Sequence, residues 1–313
     1  MRLELWWGGV RRRLLKMFFP GFVRRMAATR QGSHNPCPHE VLDPRDVKFY
    51  RNQGGYWWAA EDDPFRWRDH LPLVRVGLAE VLIFSAIFYA LAGIAATWSV
   101  WAAIPFVALG LFVLSFFRNP QRKVPLEAGV IVCPADGLIS SITEAPHDDY
   151  LEGPAVEIGI FLSVFDVHIN RVPVAARVIG LTYRKGKFLN ALLPASAREN
   201  EQLAVRLEEN LPPYRRFIVR QIAGAIARRI VCWVKPGDEL ARGEAFGMIK
   251  FGSRTDLVLP REPGLTILAK QGQRVYAGST ILARYEIVPD GIVPDEIARA
   301  AHQGGMTAAD EST

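Results

Sequence analysis

The 313-residue sequence has only three cysteines, Cys37, Cys133 and Cys232. An odd, widely spaced set supports neither a disulfide framework nor a zinc site, and it points to a reducing compartment for the main domain. Cys133 and Cys232 lie in apolar, strand-like runs, where a free cysteine acts as a small buried hydrophobe. Cys37-Pro38-His39 is half a metal site without a partner pair, so no metal is expected. No stretch reads as a secretory leader, because arginines interrupt any apolar core near the start.

Charge is almost missing from residues 76–117, where Glu80 is the one formal charge. The first run, Val76 to Ala96, is long enough to cross a bilayer as a helix. Thr97-Trp98-Ser99 breaks it, and Val100 to Phe117 follows, with Pro105 near its start. The pair reads as a transmembrane helical hairpin; a single tilted span plus a buried helix is the competing reading. Arg66, Arg68 and Arg75 precede it and Arg118, Arg122 and Lys123 follow it, which places both ends in the cytoplasm. Glu80 is costly in lipid and has to sit near an interface or a partner.

The formal charge of +6 is unevenly spread. Arg11, Arg12, Arg13, Lys16, Arg24, Arg25 and Arg30 crowd the first thirty positions, beside Trp6, Trp7, Phe18, Phe19 and Phe22. Such a segment suits an anionic surface, as a basic amphipathic helix on acidic lipid, or else a solvated tail. Residues 1–70 read as an extension of unassigned role, 71–118 as the hairpin, 119–294 as the catalytic domain and 295–313 as a flexible tail.

From Gly129 onward the texture becomes β-like. Val130–Val132, Val156–Phe161, Arg177–Tyr183 and Phe217–Val219 are short strand-type runs. Asn190 to Asn210, richer in Ala, Glu and Leu, reads as a loop with a helical turn or two, ended by Pro212-Pro213. An internal echo supports the β reading. Lys235 to Gly243 and Lys270 to Gly278 share the pattern Lys-x-Gly-x-x-apolar-x-x-Gly at an offset of 35. Its glycines suit turns flanking a short strand. The fold expected is mainly β (α+β), a pseudo-symmetric antiparallel barrel or sandwich preceded by the hairpin.

Three segments could carry chemistry. Phe251-Gly252-Ser253-Arg254 ends a strand with a hydroxyl next to a glycine carbonyl. If Ser253 attacks the Gly252 carbonyl, the peptide bond becomes an ester; elimination and loss of ammonia then leave a pyruvoyl group. Glycine before the serine removes steric bulk and permits unusual backbone angles. A serine hydroxyl needs a base for this. Asp166-Val167-His168 places Asp166 and His168 on one face if extended, so His168 is the candidate base, oriented by Asp166 or by Asp136 of Pro134-Ala135-Asp136-Gly137. Taken singly, each has an ordinary reading: a Gly-Ser turn, a hydrogen-bonded core histidine, an Asp-Gly turn.

Asn119-Pro120, Pro134-Ala135-Asp136-Gly137, Asp166-Val167-His168-Ile169-Asn170-Arg171, Lys185-Gly186-Lys187-Phe188-Leu189-Asn190-Ala191, Glu199-Asn200-Glu201 and Phe251-Gly252-Ser253-Arg254 occur in the order found in phosphatidylserine decarboxylase proenzymes. The chain resembles the shorter, archaeal-type bacterial branch of that family over roughly residues 76–290. The resemblance implies self-cleavage between Gly252 and Ser253 into a β chain, 1–252, and an α chain, 253–313. It implies a covalent pyruvoyl cofactor made from Ser253 and a phospholipid substrate in the membrane, decarboxylated through a Schiff base to the ethanolamine lipid. It also implies a catalytic domain on the cytoplasmic face of the cell membrane, with no nucleic-acid partner; a homo-oligomer is compatible with it. Where the longer bacterial relatives are expected to carry a second histidine, this chain has Arg171, so His168 is expected to serve alone. Arg184, Lys185 and Lys187 are candidates for the substrate phosphate, or equally a solvated turn. Two other readings stay open: a decarboxylase of another serine-headed, archaetidylserine-like lipid, and a membrane-tethered barrel carrier that is never cleaved, for which Met248-Ile249-Lys250 is a poor match to a carrier lysine.

Overall fold

The computed structural model describes residues 2–28, 71–225, 229–250 and 252–286. Cys37-Pro38-His39, the segment 31–70, Phe251 and the tail 295–313 lie outside the described residues. Two helices, α1 (Arg2–Phe18) and α2 (Pro20–Ala28), come first.

The apolar segment folds into α3 (Leu78–Ala96) and α4 (Val100–Phe116). Ser99 caps α4, its Oγ accepting from the Trp101 N–H at 3.3 Å. Such a cap satisfies one of the orphan donors at a helix start. The helices approach closely at Gly110, where a Cβ would lie 2.7 Å from the Tyr89 ring. The hairpin closes at its base: the Val74 N–H donates to the Phe117 carbonyl (2.8 Å) and the Asn119 N–H to the Pro72 carbonyl (2.7 Å). There Val74, Val81, Phe116 and Phe117 pack with Val167, Ile169 and Met248 of the β domain.

That domain is built from β1 (Val130–Val132), β2 (Gly137–Asp148), β3 (Gly153–Leu162), β4 (Ile169–Arg171), β5 (Ala176–Arg184), the helical turn α5 (Ser196–Glu199), β6 (Gln202–Glu209), β7 (Arg216–Ile222), β8 (Arg229–Cys232), β9 (Glu239–Leu240), β10 (Ala245–Lys250), β11 (Ser253–Pro260), β12 (Leu265–Ile267), β13 (Arg274–Val275) and β14 (Ile281–Tyr285). An eight-stranded antiparallel sheet, in the order β13-β2-β3-β11-β7-β6-β5-β9, curls into a half-barrel. Two three-stranded sheets, β1-β14-β12 and β4-β10-β8, complete the domain. The core between them is aliphatic, with Phe217, Phe246 and Tyr285 as its large rings. Cys133 and Cys232 are buried in it.

The strand orders are symmetric. Read inward from either end, β13 and β9, β2 and β5, β3 and β6, and β11 and β7 are equivalent, as are the two small sheets. One half is the continuous stretch β4–β10. The other is β1–β3 together with β11–β14, so the first half is inserted between β3 and β11. The 35-residue echo is the visible trace of this arrangement: its two copies supply β9 and β13, the edge strands of the large sheet. All four echo glycines, Gly237, Gly243, Gly272 and Gly278, have left-handed φ between 73° and 92°, which residues with a Cβ resist. Edge strands of two residues leave little backbone for further pairing, and the sheet stays open where a closed barrel was one expectation.

One expected element is wrong. Residues 202–209 are not loop or helix but β6, paired with both β5 and β7. The helix-favouring Ala, Glu and Leu content is overridden by neighbours on both sides that need their backbone groups met.

Glu80 has a partner. Its carboxylate meets the Lys250 ammonium, which is 6% exposed and also lies 5.3 Å from the Phe117 ring centroid. Removing one member of a fully buried pair costs about 3–5 kcal/mol; Glu80 is 29% exposed, so the expected loss for Glu80→Gln falls below that range. Melting temperatures in detergent should drop for Glu80→Gln and recover in the Glu80→Gln/Lys250→Met double variant. Equal losses in the two would show that the charges do not interact.

Candidate functional site

The chain passes between the two halves twice, at residues 163–168 after β3 and at Gly252 before β11. These crossings meet, because Leu162, the last residue of β3, is the register partner of Ser253, the first of β11.

His168 lies at this meeting point, fully buried. Its Nε2 accepts the Gly252 N–H at 3.1 Å. Its Nδ1 lies 2.9 Å from the Asp166 main-chain carbonyl. A carbonyl only accepts, so Nδ1 carries the proton and the ring is neutral. Burial pushes its pKa down to about 4, against the opposing pull of the Asp166 carbonyl. Phe116, the last residue of α4, lies over the imidazole with centroids 4.6 Å apart. The hairpin base therefore roofs the histidine.

Ser253 is equally buried, and its Oγ has no hydrogen-bond partner among the described residues. An unmet buried hydroxyl costs about 1–3 kcal/mol. Gly252 before it has φ +62°, a conformation glycine adopts without penalty. Its carbonyl oxygen points at Gly224, where a Cβ would lie 2.2 Å away. Gly224 is thus a clearance for the scissile carbonyl. Asn200 sets that backbone: its Nδ2 donates to the Ala223 carbonyl (2.7 Å) and the Leu189 carbonyl (2.8 Å), and its Oδ1 accepts from the Leu189 N–H. The Glu201 carbonyl, which accepts from the Ala223 N–H (2.9 Å), holds the same stretch.

The two carboxylates lie close by, but neither touches the imidazole. Residues 163–168 form a turn, not the extended run that would align Asp166 with His168. The Asp166 carboxylate accepts from the Ser163 N–H and Oγ, both at 2.8 Å, and pairs with Arg274. It is the Asp166 carbonyl that orients the ring. Asp136 accepts from the Ala277 N–H (2.8 Å) and pairs with Arg122 (2.6 Å); burial raises its pKa. Arg171 reaches away from the imidazole, to the Gly243 carbonyl, Asn119 Oδ1 and the Pro120 carbonyl. It ties the linker after the hairpin to the sheet.

Two of the three candidate phosphate cations have other partners. Lys187 pairs with Glu199 and Arg184 donates to the Arg198 carbonyl. Among the described residues, no hydrogen bond or ion pair joins Arg184, Lys185 or Lys187 to His168, Asp166 or Ser253. Lys250 is buried against Glu80 rather than presented at a hairpin tip, which removes it as a carrier lysine. Sequence reasoning passed over Phe116, Arg274 and Gly224. Only Glu80, a lone charge in an apolar run, signalled a counter-ion.

The family model described as phosphatidylserine decarboxylase matches residues 109–283. The chain is 54% identical over 241 residues to the phosphatidylserine decarboxylase proenzyme of Rhodopirellula baltica, covering 77% of this chain and 99% of that one. It is 47% identical over 184 residues to the one from Carboxydothermus hydrogenoformans (59% and 84% covered). Against the Burkholderia vietnamiensis protein the identity is 38% over 209 residues (67% and 92%).

The depressed pKa of His168 has a sign that can be checked. Between about 4 and the ordinary 6.5, the unfolded chain holds a proton on this ring that the folded chain does not. Its contribution to stability therefore rises with pH across that window and is level above it. Denaturant midpoints measured from pH 4 to 8 should show this rise, reduced in His168→Gln. An identical profile in the variant would mean that His168 is not held neutral.

Proposed function

The chain belongs to the phosphatidylserine decarboxylase family, and on that premise we propose that it converts phosphatidylserine to phosphatidylethanolamine with a pyruvoyl group made by cutting itself between Gly252 and Ser253. The observation that carries this reading is the buried Ser253 hydroxyl, without a partner among the described residues, next to a glycine whose N–H rests on a neutral imidazole.

The residues fit the origin of that group. Among the described residues, the Ser253 hydroxyl has no competing bond to break before it attacks the Gly252 carbonyl carbon. Gly224 leaves room for the carbonyl oxygen to move as that carbon becomes tetrahedral. His168 accepts the hydroxyl proton at Nε2 in exchange for the Gly252 N–H, and Nδ1–H stays on the Asp166 carbonyl, so the ring does not turn. The attack replaces the peptide bond by an ester. Loss of the Cα proton of residue 253 then breaks its Cβ–O bond and frees the Gly252 carboxylate; water releases ammonia and leaves the ketone.

In the mature enzyme the pyruvoyl group supplies a carbonyl that takes up the substrate amine and an electron sink for the bond that loses CO2. His168 is placed to hold or return a proton at the carbon that loses CO2, and Phe116 with Val167 keeps bulk water from its ring. The new α chain stays in place without a covalent link: β11 lies between β3 and β7, and β14 between β1 and β12.

The hairpin is read as inserted in the bilayer. The helical stretch Arg75–Ala96 spans 22 residues, or about 33 Å at 1.5 Å per residue, against a hydrocarbon core of about 30 Å. The partner helix has 17 residues and needs thinning or tilt at its end. Leu82, Ile83, Ile94 and Leu111 are exposed on the pair, and Trp98 and Trp101 stand exposed at its tip, as aromatic residues do at a bilayer surface. Holding the domain on the membrane raises the effective concentration of a substrate that cannot leave it.

Two experiments test this reading. Ser253→Ala should remain one 35.0 kDa chain and release no CO2 from phosphatidylserine, while the parent protein runs as two pieces on a denaturing gel. Cleavage of that variant at residue 252 would overturn the assignment. In fractionated cells the protein should stay with membranes through high-salt washing and leave only in detergent; release by salt alone would rule out insertion of the hairpin.

A further inference from the structure

Arg184 and Lys187 are engaged by the Arg198 carbonyl and Glu199, and no contact joins Lys185 to the site among the described residues, so another cation is sought for the substrate phosphate. Arg118, two residues past the end of α4, has the required properties. Its Nη1 donates to the Ser115 carbonyl (2.6 Å) and Ser115 Oγ (2.8 Å), and its Nη2 donates to the Phe165 carbonyl (2.9 Å). All three acceptors are neutral. Among the described residues no carboxylate pairs with Arg118, whereas Arg122, Arg274 and Lys250 are each matched by an acid. Three bonds use three of five N–H donors. The Nε–H and one Nη2 N–H are left for two oxygens of one anion, the bidentate geometry that guanidinium offers to phosphate.

The position suits a lipid phosphodiester. Arg118 and His168 are held on consecutive carbonyls, those of Phe165 and Asp166, in one turn. In a serine phospholipid, three covalent bonds separate phosphorus from the carbon that loses CO2, on the order of 4 Å, so the cation for the phosphate has to lie near the histidine. The Phe165 ring is 72% exposed and meets Phe112 of α4 edge-on at 5.9 Å. An apolar surface for acyl chains thus adjoins the cation, and the histidine is held by the next carbonyl of the same turn. The charge of Arg118 also acts on His168, helping to keep it unprotonated.

We propose that Arg118 binds the phosphodiester of the lipid substrate and so places the serine head group at His168 and residue 253. This deepens the decarboxylase reading and rests on it. Two substrates separate the roles: phosphatidylserine in mixed micelles and O-dodecylserine, which keeps the amine and carboxylate but has no phosphate. Arg118→Gln should be cleaved into two pieces as the parent is. It should lose about tenfold or more in kcat/KM on phosphatidylserine, the scale of a charged hydrogen bond, chiefly through KM, and lose clearly less on O-dodecylserine. Arg118→Lys, which retains the charge without the fork, should lose less on phosphatidylserine and serves the same comparison if Arg118→Gln does not mature. Calorimetric binding of dihexanoylphosphatidylserine to the uncleaved Ser253→Ala chain gives a readout without turnover. It should weaken by a similar factor when Arg118→Gln is added, and inorganic phosphate at equal concentration should not compete.

A parent-like KM on phosphatidylserine, or equal losses on both substrates, would overturn the role of Arg118. Effective competition by inorganic phosphate would show a general anion site instead. Absence of CO2 release by the parent would overturn the decarboxylase reading itself, and the binding measurement would still report on Arg118.

Discussion

The hydrogen bond from the Gly252 N–H to His168 Nε2 joins the two places where the chain crosses between its pseudo-symmetric halves. It determines which atoms of the site can react. It holds the imidazole in one tautomer, because the other ring nitrogen must then donate to the Asp166 carbonyl. It also holds Gly252 in the left-handed conformation that turns its carbonyl toward Gly224. Burial then acts on both partners. It keeps the ring neutral, and it leaves the neighbouring hydroxyl of Ser253 without a hydrogen-bond partner among the described residues.

Insertion of one half into the other explains how a severed chain remains an enzyme. In the inserted half, β6 and β7 are joined by a short turn. In the other, β3 and β11 pair side by side although some ninety residues separate them. A break before β11 removes a connection that the sheet does not need for its pairing, since β11 is hydrogen-bonded on both edges. The hairpin adds a second coupling. Phe116 covers His168 and Glu80 neutralises Lys250, two residues before Gly252. Disturbance at the base of the apolar helices is therefore felt at the site of chain cleavage.

Much of this was legible beforehand. Short β-type runs marked β1, β3, β5 and β7, and the glycine echo marked the two edge strands. The lone acid at Glu80 implied a partner in or near the membrane. What misled was local composition. Residues 202–209 favour helix by content and became β6, because β5 and β7 present unmet backbone groups on both sides. Asp166-Val167-His168 suggested two side chains on one strand face and formed a turn, in which the aspartate acts through its carbonyl. The lysines and arginine at 184–187 looked suited to phosphate, yet Lys187 and Arg184 are engaged by Glu199 and the Arg198 carbonyl.

The amino-acid order alone determined the reactive pair Gly252-Ser253, the apolar hairpin and the β character of the rest, because each follows from chemistry or periodicity within a few neighbouring residues. Only the tertiary structure decided that His168 lies against Gly252 rather than beside a carboxylate, that Gly224 clears the Gly252 carbonyl, and that Arg118 lacks an acidic partner among the described residues. Those relations join segments from 28 to 84 residues apart, and contacts at such separations depend on strand pairing and burial, which no local pattern records.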